Sequence, residues 1–322
     1  VIPMPNILDF VFVDVFSDRL FGGNQLAVFP FAGGLPDQVM AAIACELKVN
    51  ETVFITGKTR NGFTARIFSP HGELPFAGHP VVGAAFVLAE QCLSNSGRGA
   101  FELDVPAGSV AIEMTNRNRA LHIMLQSPIL PVKVDLDLEL AQLGVMLGLV
   151  RDDLVNNGWL AEAYSAGVPF LCIPLASRAA VTKVRLKKDK WSKLLADSAA
   201  PHIYIFAIEE DGSVFARMFA PGVGIDEDPA TGAAAVALGG YLASHDMTQT
   251  EQCNYTIHQG AEMGRPSVIA LEVCVANSVL SSVRIGGHCT YLGRGTLSPN
   301  IVSTSAAEPS RRGLSPADAT ES

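Results

Sequence analysis

The chain has 322 residues, 48% of them apolar and 17% charged, with a formal charge of -9. That length is long for one core and comfortable for two lobes, each able to bury its own core without disulfides or structural metal. The acidic balance argues against nucleic acid or an anionic membrane surface as a partner, and no run of about 18 apolar residues marks a membrane span.

In chain order, residues 10–16 read as a strand, and the Gly22-Gly23-Asn24 turn separates them from a second at 26–29, a hairpin-like pair. Residues 36–47 carry Val39, Met40, Ile43 and Leu47 at helical spacing, and a strand over 51–55 follows with Glu51 at its entrance. A strand over 63–68 runs into the Ser69-Pro70 turn and on to Gly78-His79-Pro80, where proline suits a first helical position. The helix this starts, 81–91, is apolar on every side, so it belongs inside a sheet rather than on a surface.

The second half repeats the first. Ala65-Arg66-Ile67-Phe68-Ser69-Pro70 is echoed by Ala216-Arg217-Met218-Phe219-Ala220-Pro221, and residues 164–171 answer residues 16–27. Strands are predicted over 203–207, 214–218 and 268–275, around a helix over 230–243 whose polar residues are Thr231 and Tyr241. A repeat of this length reads as a duplication. The predicted fold is α+β, with two pseudo-symmetric lobes, 1–130 and 131–298, each a curved, mostly antiparallel sheet wrapped around a buried central helix.

Residues 299–322, rich in Ser, Ala and Pro without periodicity, are expected to form a disordered tail. The basic run 183–193 is expected to be a solvated surface segment. The six cysteines show no CxxC or CxxH spacing and read as small buried hydrophobes, with neither a metal site nor a redox motif. The amino terminus shows no basic segment followed by an apolar one, so a cytoplasmic protein is expected.

If the lobes pack about a pseudo-two-fold axis, the two helix starts face one cleft, each with unpaired N–H groups and the positive end of its dipole. Gly78 and Gly232 would let a ligand carboxylate approach those amides. Taken singly, each glycine reads as a tight-packing turn residue; their pairing across a duplication points to a ligand site.

Gly23-Asn24, Asn50-Glu51-Thr52, Phe76-Ala77-Gly78-His79-Pro80 and Glu227-Asp228-Pro229-Ala230-Thr231-Gly232 occur in this order, followed by Gln259-Gly260, Met263-Gly264-Arg265-Pro266-Ser267 and Ile285-Gly286-Gly287. Each fragment is weak alone, but the ordered set, spanning roughly residues 8–297, resembles the PhzF-like family of phenazine biosynthesis proteins. The resemblance implies the diaminopimelate epimerase-like fold. Epimerases and racemases of that fold use two cysteine thiolates, whose positions correspond here to Gly78 and Gly232, so two-thiol racemisation is not expected.

PhzF-like isomerases instead move a hydrogen within an unsaturated substrate using one glutamate, which the resemblance places at Glu51. A single carboxyl group suits removal and return of a proton on one face, best when partial burial lifts its pKa. By the same resemblance, His79 and Asp228 line the substrate pocket, with Gly78, Gly232 and Ala233 at the helix starts. On their own, Glu51 reads as a charge opening a strand, Asp228 as a helix cap and His79 as a locally satisfied side chain. One departure is Ala233, where many family members carry a serine; a hydroxyl that could touch the substrate is missing, which puts the phenazine precursor in doubt as the substrate.

The resemblance therefore implies an isomerase that needs no cofactor and no metal, acts on a small carboxylate-bearing, unsaturated substrate and assembles as a homodimer. The alternative is a non-catalytic member that binds a small molecule or another protein. Dinucleotide binding is disfavoured, since no GxGxxG follows a strand and opens a helix.

Overall fold

Apolar residues in the first thirty positions pair as an antiparallel hairpin of β1 (Leu8–Val15) and β2 (Asn24–Phe29). The chain crosses through α1 (Asp37–Leu47) to lay β3 (Glu51–Lys58) parallel to β2, and turns back as β4 (Gly62–Ser69) and the short β5 (Gly72–Leu74). A second crossover, α2 (Gly78–Cys92), leads to β6 (Gly99–Val105), parallel to β4; β7 (Gly108–Arg117) and β8 (Ala120–Gln126) follow antiparallel. The structure is a computed structural model and describes residues 7–92, 99–117, 120–154, 158–245 and 252–298. The expected tail, 299–322, lies outside them.

After β9 (Val132–Val134), α3 (Leu140–Leu147) and α4 (Arg151–Leu154), the same order recurs. The hairpin is now β10 (Glu162–Ser165) and β11 (Pro169–Pro174), and the first crossover is α5 (Arg178–Lys183) with α6 (Lys188–Leu194). It leads to β12 (His202–Ile208), parallel to β11, followed by β13 (Ser213–Ala220) and β14 (Ile225–Asp228). The second crossover is α7 (Gly232–His245), leading to β15 (Gln252–Gln259), parallel to β13, then β16 (Ser267–Ala276) and the long β17 (Val279–Leu297).

Each half closes on itself with help from the other. β17 pairs with β16, then with β8 through His288↔His122, and then carries residues 289–297 across to β1, from Cys289↔Val15 to Leu297↔Leu8. Reciprocally, β9 follows β8 and pairs with β10. One ring therefore runs through β1, β2, β3, β4, β6, β7, β8 and β17 around α2, and the other through β9 to β13, β15, β16 and β17 around α7. The last residues of β17 belong by pairing with the first half.

The two central helices are buried on nearly all sides, as their unbroken apolar sequences require. Small residues let the strands come close: a Cβ on Gly83 would lie 2.5 Å from Leu26 Cδ2 and 2.7 Å from Val15 Cγ2. The duplicated Ala-Arg dipeptides do the same work in both halves. Arg66 grips Glu73 through Nε and Nη2 at 2.7 and 2.6 Å, and Arg217 grips Glu227 in the same fork at 2.8 and 2.8 Å. The third nitrogen ties each to its first crossover, Arg66 to Asp37 of α1 and Arg217 to the carbonyls of Val181 and Val184 at the end of α5.

Two local expectations need correction. The basic run is solvated at Lys183, Arg185, Lys187, Lys188 and Lys193, but Val184 and Trp191 within it are buried in a core with α3, and Trp191 donates to the Pro201 carbonyl. Of the cysteines, Cys172 is buried as expected, whereas Cys45 is exposed on α1 and Cys253, Cys274 and Cys289 are partly covered.

Candidate active site

The duplication brings four element ends together: the start of β3 at Glu51, the start of α2 at Gly78 and His79, the end of β14 at Asp228, and the start of α7 at Gly232. Both helices begin slightly off the expected positions, α2 three residues earlier and α7 two later, so His79 lies within the first turn rather than ahead of it. Glu51 Oε2 lies 3.0 Å from His79 Nε2, with the side chains 15% and 8% exposed. The separation is that of an ion pair, and apart from each other neither atom has a hydrogen-bond partner. Two such atoms facing each other in a covered place mark a site built to meet something else. Burial presses the His79 pKa down, but Glu51 and then Asp228 more than offset it, so His79 titrates above the ordinary histidine range.

Asp228 is held from both halves of the chain. Its Oδ1 accepts from Asn24 Nδ2 at 3.0 Å and Asn50 Nδ2 at 2.9 Å, and its Oδ2 accepts from the Thr231 hydroxyl at 2.5 Å. Gln259 lies behind Thr231: its Nε2 donates to the Asp228 carbonyl at 2.8 Å and to Thr231 Oγ1 at 3.1 Å, while its Oε1 accepts from Tyr204 Oη at 3.2 Å and Thr231 N at 3.4 Å. Burial raises the Asp228 pKa to about 6, with Glu51 adding to the rise and His79, Thr231 and Asn24 working against it.

Gly78 and Gly232 do meet, but they pack on each other. A Cβ on Gly78 would lie 3.1 Å from Gly232 Cα and 3.0 Å from Ile285 Cδ1; one on Gly232 would lie 3.1 Å from Gly78 Cα and 2.7 Å from Ile285 Cδ1. Their lack of side chains serves helix-to-helix contact at the pseudo-two-fold axis. Ala233, next in α7, is partly exposed and offers only a methyl group. Among the described residues, no group of three His, Cys, Asp or Glu side chains is placed to hold a metal ion, and no helix is long and apolar enough to cross a membrane.

Glu51, His79 and Asp228 are thus brought together as a set. What sequence reasoning missed is the frame around Asp228. Asn24, Asn50, Thr231 and Gln259 all stood inside the motif fragments without a role; their common signal was an uncharged polar residue next to a Gly or a site residue. Tyr204, in an otherwise apolar strand, carried no signal beyond its hydroxyl.

Comparison with known proteins bears on the family and the fold. The family model described as phenazine biosynthesis-like protein, PhzC-PhzF, matches residues 13–295. An uncharacterized isomerase of Mesorhizobium japonicum is 35% identical over 90% of this chain and 98% of its own. The trans-2,3-dihydro-3-hydroxyanthranilate isomerase of Pseudomonas fluorescens is 31% identical over 90% of this chain and 99% of its own. Among solved structures, a PhzF-family phenazine biosynthesis protein of Bacillus anthracis superposes with a TM-score of 0.81 at 22% identity, covering 90% of this chain and 99% of that one.

Proposed function

This chain belongs to the phenazine biosynthesis-like family and is an isomerase, and on that premise we propose that it moves a proton within a small, unsaturated, carboxylate-bearing substrate, with Glu51 as the single acid and base. The observation that carries the reading is the buried Glu51–His79 pair, 3.0 Å apart and otherwise unpartnered. Glu51 takes a proton from one carbon, the electron pair of that C–H bond shifts through the adjacent double bond, and the same carboxyl group returns the proton to a second carbon. Composition is unchanged, so no oxidant or reductant enters. The raised pKa of His79 favours an imidazolium beside Glu51, which holds that carboxylate ready and gives the substrate a charged donor.

Asp228 contributes differently. Its three protein hydrogen bonds leave one acceptor position on Oδ2 for a substrate hydroxyl or amine. The absence of a thiol at residues 78 and 232, together with the packing of those glycines, speaks against racemisation by two thiolates. A homodimer acting in the cytoplasm completes the reading, and sedimentation of the purified protein tests the dimer.

The first substrate to assay is trans-2,3-dihydro-3-hydroxyanthranilate, after the relative of that name. Glu51→Gln should lower turnover by about 10²- to 10⁴-fold with little change in substrate affinity. In D₂O the product should carry less than full deuterium at the accepting carbon, because a covered carboxyl group hands back much of the proton it took. A fully active Glu51→Gln variant would remove this residue from the mechanism, and complete solvent exchange would refute the shielded transfer.

A further inference from the structure

We propose that Gln259 is a positioning residue: it fixes the direction of the hydrogen-bond chain that ends on Asp228, and so sets that carboxyl group to accept hydrogen bonds in the site rather than to donate them. The inference rests on the reading of Asp228 as a substrate-facing group, and its geometry is complete within the protein.

The direction follows from groups that cannot change roles. Gln259 touches two backbone groups, the Thr231 N–H, which only donates, and the Asp228 carbonyl, which only accepts. These orient the amide: Oε1 must face Thr231 N, and Nε2 must face the Asp228 carbonyl. The same Nε2 reaches Thr231 Oγ1 at 3.1 Å, so the Thr231 oxygen accepts there. The hydroxyl proton then needs another acceptor, and Asp228 Oδ2 stands at 2.5 Å. At the other oxygen, Asn24 is oriented in the same way, because its Nδ2 serves both Asp228 Oδ1 and the Ala230 carbonyl. Asn50 Nδ2 adds a second donor to Oδ1. Every protein group bonded to the Asp228 side chain therefore presents a hydrogen to it.

The consequence is chemical. Three donors stabilise the ionised form against burial, which by itself drives this group toward protonation. The titratable groups facing Asp228 are Glu51 from β3 and His79 from α2, whose charges oppose each other, and Tyr204 from β12, which reaches it through Gln259. His79 lowers the Asp228 pKa more than the Thr231 hydrogen bond does and Glu51 raises it less, so the hydrogen-bond chain works with His79 against burial and Glu51. If residue 259 offered an oxygen toward Thr231, the hydroxyl proton would have two acceptors, and a protonated Asp228 could donate back to Thr231.

The test uses the ligand-free, full-length protein labelled with carbon-13 at its aspartate carboxyl groups. The Asp228 resonance is assigned by its loss in Asp228→Asn, and its titration is followed by NMR. In the native chain the midpoint should lie near the value of about 6 that the site imposes. Thr231→Val, which removes the donor at constant shape, should move it up by about one pH unit, and Thr231→Ser should restore it. Gln259→Glu should move it up by a similar amount, and Gln259→Met, neutral and of similar length, by less. The double variant Gln259→Glu with Thr231→Val should shift clearly less than the sum of the two, because residue 259 acts through Thr231.

An unmoved titration in folded Gln259→Glu and Gln259→Met proteins would overturn the proposal. So would strictly additive shifts, which would show Glu at 259 acting by its charge alone. If Gln259→Glu does not fold, Gln259→Met and the two Thr231 variants carry the same decision. No substrate is needed, so the two readings fail separately: a fully active Glu51→Gln variant sinks the isomerase mechanism and leaves this titration intact. An unmoved titration alongside an inactive Glu51→Gln variant sinks the role of Gln259 alone.

Discussion

Adding one methyl group at the junction of the two central helices should cost more than its size suggests. In Gly232→Ala the new Cβ would lie 2.7 Å from Ile285 Cδ1, 3.1 Å from Gly78 Cα and 3.3 Å from His79 N. Comfortable carbon–carbon contact is about 3.5–4.0 Å, so all three neighbours must give way. Two are backbone atoms of α2, and Ile285 is fully buried and cannot turn its end into solvent. Overpacking of this kind costs about 1–3 kcal/mol. Ile285→Val deletes the atom in closest conflict and alone should cost about 0.5–1.5 kcal/mol. Combined, the new methyl takes the volume left by Cδ1, so the double variant should be less destabilised than the sum of the singles by about 1 kcal/mol. Gly78→Ala with Gly232→Ala should behave in the opposite sense, because both methyl groups would claim the same space. Urea unfolding of the four proteins measures the cycle. Additivity within about 0.3 kcal/mol would refute the packing argument. The same geometry explains why a thiol pair could not be installed at 78 and 232 without spreading the helices.

Three further outcomes follow from the site and its frame. His79 and Asp228 both titrate higher in the folded chain than their ordinary values of 6.5 and 3.8, so each favours folding on the acid side. Stability from Asp228 should fall between about pH 4 and 6, and that from His79 should be lost as pH rises above about 6.5. Melting curves should accordingly show Asp228→Asn gaining on the native chain across the first window and His79→Gln across the second; parallel curves would contradict the shifts. Arg217→Ala breaks a pair with side chains 7% and 16% exposed and should cost about 3–5 kcal/mol. Arg66→Ala breaks its more open counterpart, 25% and 33% exposed, and should cost about 1 kcal/mol or less; equal losses by urea unfolding would show that cover does not set the difference. Ala233→Ser restores a hydroxyl in the first turn of α7, and if it contacts the substrate, turnover of trans-2,3-dihydro-3-hydroxyanthranilate should rise about tenfold, the equivalent of one good hydrogen bond. An unchanged rate would place residue 233 outside the contact.

The architecture was legible because its signals are one-dimensional. A helix apolar on every face, met twice, has few places to go but inside a sheet, and the Ala-Arg echo carried the same Arg–Glu fork into both halves. The site was legible only as far as its ionisable residues, which the ordered motifs picked out. Gly78 and Gly232 show why the rest was not: a glycine in sequence does not name its neighbour, and only the structure shows that a Cβ on either would lie 3.1 Å from the Cα of the other. Gln259 is separated from Asp228 by 31 residues, and its orientation depends on two backbone groups, neither of which side-chain chemistry can locate. The basic run misled because exposure was read from its lysines, while Val184 and Trp191 between them face the core.

The pairing of β17 with β1 places a constraint on how the chain is made. Val15 finds its partner in Cys289 and Leu8 in Leu297, so β1 cannot complete its ring until about 270 to 290 further residues have been made. At about 5–20 residues per second, that delay is on the order of tens of seconds. Throughout it, β1 is paired with β2 on one side only, and the apolar residues destined for the α2 core lack one wall. The nascent first half is therefore exposed to mispairing at that edge, and the arrival of β17, rather than synthesis of the first half, is the event that seals its ring.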